Sequence, residues 1–83
     1  MKKFLVDVYL PAAGKHFDAY LPAAKQIGEA TRLLAELAGP LSGGSYQGTA
    51  DALLLDAGSG RPFPRGDTVA DADIRNASRL ILI

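Results

Sequence analysis

The sequence predicts an α+β domain in which a mixed sheet of four to five strands is covered on one face by a single helix. Three observations lead there. Period-two alternation runs through Lys3 to Leu10 and again through His16 to Leu21, with turn residues between them. After Pro22 the period lengthens to three and four residues. The sequence closes on a short acidic turn followed by an apolar strand, Arg79 to Ile83.

In the first segment Phe4, Val6, Val8 and Leu10 share one face, while Leu5, Asp7 and Tyr9 take the other, as in a half-buried strand. Pro11 to Lys15 (PAAGK) supplies the turn, and Gly14 can adopt positive φ. His16 to Leu21 alternates again through Phe17, Ala19 and Leu21, so strands one and two form a hairpin. From Ala24 through Ile27, Ala30 or Thr31, Leu34 and Leu37 or Ala38 the apolar residues mark one helix face, with Lys25, Glu29, Arg32 and Glu36 opposite. Gly28 costs the helix roughly 1 kcal/mol relative to alanine, so a close approach to the sheet is expected there. Gly39 and Pro40 are expected to stop the helix.

Leu41 to Thr49 (LSGGSYQGT) has no period and reads as a surface loop. Ala52 to Asp56 (ALLLD) is a short apolar strand, Ala57 to Arg61 (AGSGR) a turn, and Pro62 to Pro64 leaves room for an edge stub. Thr68 fits an N-cap for one helical turn through Asp71, Ile74 returns to the core, and Asn76 to Ser78 turns into the last strand. The order strand, strand, helix, strand, short strand, turn, strand is that of the β-grasp fold, and residues 1–83 read as one domain.

Composition narrows the function classes. An 83-residue chain buries only about 60–65% of its unfolded surface, so the core is small. Nine basic and nine acidic side chains cancel, which removes the field that a nucleic-acid or anionic-membrane binder uses, so neither partner is expected. The absence of cysteine excludes disulfides and thiol chemistry. The apolar run after Lys2 and Lys3 is broken at Asp7, too short for a signal-peptide core or a bilayer span; a cytoplasmic location without membrane insertion is expected.

No catalytic set assembles. His16 is the single histidine and reads as a strand or turn residue; Asp71 and Asp73 suit turn capping; no metal or cofactor is expected. Gly58 to Arg61 lacks the helix and Lys-Ser/Thr of a phosphate loop, so it reads as a hairpin turn. Arg65, Gly66 and Asp67 spell an adhesion tripeptide that turn preference explains. The sheet is more informative. With the helix on one face, Leu5, Leu54, Ile81 and Ile83 are expected to form an apolar patch on the other, a surface for a protein partner or for self-association. The alternative is that Leu53 and Leu55 point outward instead, or that Tyr9, Tyr20 and neighbouring aliphatic stems partly shield the patch.

The stretch Thr68, Val69, Asp71, Ile74, Ser78, Leu80 and Leu82 resembles the corresponding stretch of ubiquitin in its spacing. A closer resemblance is to the small ubiquitin-like YukD/EsaB proteins of bacterial type VII secretion systems. Phe17, Asp18, Leu21, Pro22, Lys25 and Ile27 match that family's passage from strand two into the helix, and Gly66, Asp67 and Ile74 its turn. The Gly-rich loop Ser42 to Gly48 departs from it. The resemblance implies a noncatalytic cytosolic accessory of type VII secretion that binds a machinery component. The sequence ends at Ile83 without a diglycine, so conjugation is not expected; the alternative, a modifier or sulfur carrier, requires an extended or processed C-terminus.

Overall fold

The computed structural model describes residues 2–46 and 51–83. Strand β1 (Lys3–Leu10) buries Phe4, Val6, Val8 and Leu10, the face that the alternation marks as internal. It pairs antiparallel with β2 (Lys15–Pro22), from Lys3 opposite Pro22 to Leu10 opposite Lys15. Gly14 closes the turn at φ 61°, where a side chain would be strained.

Helix α1 (Ile27–Leu41) buries Ile27, Ala30, Thr31, Leu34, Ala35 and Ala38. Both expected ends need correction. The chain does not become helical directly after Pro22: the Ala23 amide donates to the Lys2 carbonyl, the Lys25 amide donates to Pro22 O and closes a turn, and Gln26 bridges Thr68, so the helix starts only at Ile27. Gln26 offers no side-chain cap, and the first helical amides are satisfied from outside, Ile27 donating to Asp67 O at 2.8 Å and Gly28 to Arg65 O at 3.0 Å. At the other end the helix passes through Gly39 and Pro40. Pro40 lies in the last turn and is exposed, so its ring meets solvent, and Ser42 caps by donating its amide to Ala38 O and its hydroxyl to Gly39 O. The close approach at Gly28 is to Arg65, not to the sheet.

Strand β3 (Leu54–Asp56) is shorter than the apolar run that predicts it, and β4 is Arg79–Leu82. The sheet order is β2-β1-β4-β3, with β1 and β4 parallel and the outer pairs antiparallel. A single bridge, Leu55 to Pro62, stands where the edge stub is expected. One helix over this four-stranded mixed sheet is the arrangement that the element order predicts. Thr68 Oγ1 accepts the Asp71 amide at 3.1 Å, the Ala72 amide donates to Thr68 O, and Val69 and Ile74 are buried.

Two expectations about burial fail. Tyr46, placed in the surface loop, is buried and donates its amide to Ser42 Oγ. Residues 47–50 of that loop lie outside the described residues. Leu54, expected on the solvent face, is 2% exposed. It pairs with Leu82, which faces the helix, so Leu54 must face it too, and Leu53 and Leu55 take the outer side.

Candidate protein-binding surface

The outer face of the sheet follows from the register. Residues 5, 7 and 9 of β1 stand beside Tyr20, Asp18 and His16 of β2; on the other side Asp7 and Tyr9 stand beside Arg79 and Ile81 of β4. Leu55 pairs with Ile81. Leu53 and Ile83 exchange two backbone hydrogen bonds of 3.0 Å, which carries the pairing one step past β3.

These rows make two apolar regions. At one end Leu5 is 38% and Tyr20 59% exposed, and the Lys3 ammonium sits 4.8 Å from the Tyr20 ring centroid. They floor an open groove of about 790 Å³ walled by Asp18, Asn76 and Arg79. At the other end Leu53 and Ile83 are exposed, and Leu55 and Ile81 are half-buried beside them. Between the two lies a polar row of Asp18, Asp7 and Arg79. His16 Nδ1 lies 3.1 Å from Asp7 Oδ1, and its ring packs on Tyr9 with centroids 4.6 Å apart.

Of the residues that the sequence points to, Ile81 and Ile83 come together, Leu5 lies at the far end of the same face, and Leu54 is excluded. Leu53 and Leu55 take the outward place that the alternative facing of the run gives them, and Tyr20 belongs to the exposed face beside Leu5. Tyr20 was legible from the alternation of β2. Leu53 and Leu55 were not, because an unbroken Leu-Leu-Leu run carries no parity until its partner strand fixes it.

The remaining motifs act as local structure. Asp56 Oδ2 accepts the Ser59 amide and Ser59 Oγ accepts the Arg61 amide, so Gly58 to Arg61 is a turn held by side chains. The Arg65 and Asp67 carbonyls accept the Gly28 and Ile27 amides at the helix start, and Arg65 Nη1 donates to Ala52 O at 3.1 Å. Arg75 Nη2 lies 3.4 Å from Asp73 Oδ1. Among the described residues no three His, Cys, Asp or Glu side chains gather as a metal site, and no helix is long and apolar enough to cross a membrane. Burial raises the Tyr46 phenol above its ordinary value.

No protein-family model and no curated protein matches the chain. Solved structures do. The EccD5 ubiquitin-like domain from Mycobacterium xenopi is 15% identical with a TM-score of 0.82, over 100% of this chain and 94% of that one. The N-terminal ubiquitin-like domain of the 4931431F19Rik protein is 13% identical with a TM-score of 0.75, over 98% of this chain and 73% of that one. At such identities the likeness is one of fold, and it agrees with the sheet order and single helix: the chain has the ubiquitin-like β-grasp fold.

Proposed function

We propose that the chain is a noncatalytic ubiquitin-like accessory or regulatory protein of type VII secretion, working in the cytoplasm by binding a protein of the secretion machinery. The observation that carries the binding role is the outer face of the sheet, where Leu5, Tyr20, Leu53 and Ile83 are exposed around a polar centre. Scattered aliphatics are normal on a small protein, but a face on which they adjoin across neighbouring strands marks an association surface. The secretion setting is supported by the YukD/EsaB-like residues Phe17, Asp18, Pro22, Lys25 and Ile27. On this reading the fold shared with the EccD5 domain reflects a shared setting.

The test is calorimetric titration of the purified chain into the cytosolic part of a type VII secretion ATPase, with Ile81→Ser and Leu53→Ser as variants. Saturable binding that both variants weaken at least tenfold, with unchanged circular dichroism, is the expected result. Absence of binding to the cytosolic parts of the machinery would remove the proposal.

A further inference from the structure

The two edges of the sheet are finished differently. Beyond β3 the chain returns to cover its own edge: the Asp56 amide donates to Arg61 O and the Phe63 amide to Leu54 O. Beyond β2 nothing in the described residues does so. The phase of the ladder shows which groups are left. Leu5 and Asp7 turn their amides toward Asn76 Oδ1 and Ser78 O, on the β4 side, so the even residues of β1 bond to β2. Their partners on β2 are Lys15, Phe17, Ala19 and Leu21. The intervening residues His16, Asp18 and Tyr20 therefore point their backbone groups outward from the sheet. This edge has no inward-pointing charge over the sheet centre and no proline before Pro22, two devices that normally discourage pairing.

The helix leaves a second open flank on the same side. Gly28 faces Arg65, which reaches Ala52 beside β3. Leu37 is nine positions on, half a turn round the helix at about 100° per residue, and so overlooks β2. Leu37 is 52% and Leu41 53% exposed, and Phe17 lies half-buried on the helix-covered face of β2.

We propose that β2 pairs antiparallel with β2 of a second copy, on a two-fold axis through Phe17. A continuous sheet requires partners on the same face, which restricts the register to positions of equal parity. Pairing Asp18 with its own copy would oppose like charges directly, which destabilises a sheet. Centring on Phe17 instead sets His16 opposite Asp18 of the second copy, twice by symmetry, with outward backbone groups of both residues meeting in a hydrogen-bonded pair. His16 uses Nδ1 toward Asp7, which leaves Nε2 for that contact. Tyr20 then falls opposite Gly14, where no side chain obstructs it. The two helices lie on one side of the joined sheet with their Leu37 flanks turned toward each other over the paired Phe17 rings. One occupant thus covers both the bare edge and the bare helix flank.

Sedimentation equilibrium at rising concentration tests this. The expected mass climbs from 8.7 kDa toward twice that value between micromolar and millimolar chain. His16→Asp alone opposes like charges, Asp18→Lys alone removes the carboxylate that accepts from His16, and each holds the mass at monomer, while an equimolar mixture of the two sets the new carboxylate opposite the new ammonium and restores the dimer. Asp18→Pro, which removes an outward amide and leaves the β1 ladder intact, also yields monomer with unchanged circular dichroism. Ile81→Ser on the outer face leaves the dimer in place. A wild-type chain that stays monomeric at millimolar concentration overturns the proposal, as does a dimer indifferent to both charge variants or one abolished by Ile81→Ser.

Discussion

Gly28 donates its amide to the Arg65 carbonyl at 3.0 Å, and a β-carbon at position 28 would stand 3.4 Å from Arg65 Nη2. That spacing is snug, and the neighbour is the tip of a flexible, exposed side chain. The glycine is thus a site where helix propensity has been given up without a steric demand for it. Gly28 is the second residue of the helix, so Gly28→Ala should stabilise the chain by about 0.4–1 kcal/mol, mainly by restricting the unfolded chain. At this size that raises Tm by roughly 2–8 °C in a thermal melt. Gly28→Leu should do the reverse by displacing Arg65 and loosening the carbonyl that caps the helix. A Gly28→Ala variant less stable than the parent would show that Arg65 cannot give way.

Leu53 and Leu54 differ by one position and by everything that burial does. Leu54→Ala empties a core site and should cost about 2–5 kcal/mol in urea unfolding. Leu53→Ser changes an exposed site and should stay within about 0.5 kcal/mol. Equal losses at both positions would mean that the register of β3 is not Leu54 opposite Leu82.

That pair also shows where the sequence stops being informative. Strands β1 and β2 were legible residue by residue because apolar and polar side chains alternate there, and Tyr20 opposite Leu5 follows from the hairpin alone. The Leu53-Leu54-Leu55 run contains no such contrast, so its facing is decided by β4, far along the chain. The helix face was equally plain, but its ends were not. Its start depends on carbonyls of Arg65 and Asp67, and its last turn runs through a proline that local rules read as a stop. Tyr46 looked like loop chemistry among glycines and serines because nothing local reveals that its ring reaches the core.

Ala77 adopts φ 69°, a left-handed conformation that costs a side-chain-bearing residue roughly 1–2 kcal/mol. It is held there because its amide donates to Leu5 O at 2.8 Å, in the turn that feeds β4 into the sheet beside β1. Ala77 is exposed, so removing its methyl group empties no core. Ala77→Gly relieves the strain at a smaller entropic cost and should gain about 0.5–1 kcal/mol. The measurement is the urea midpoint; a lower midpoint for the glycine variant would mean that the unfolded-chain entropy outweighs the strain.

Tyr46 links the Gly-rich loop to alkaline stability. Burial disfavours the phenolate and raises the folded-state pKa above the ordinary 10.0. The folded chain therefore holds this proton more tightly than the unfolded one. The resulting stability is complete below the unfolded value and is lost as the pH climbs through the higher folded value. Urea midpoints measured from about pH 8 to 11 should be flat in this respect at first and then fall, and Tyr46→Phe should fall less steeply because it has no proton to lose. All other groups are common to the two proteins and cancel in the difference. Parallel curves for the two chains would show that the Tyr46 hydroxyl reaches solvent freely enough to ionise in place, and that the ring alone is anchored in the core.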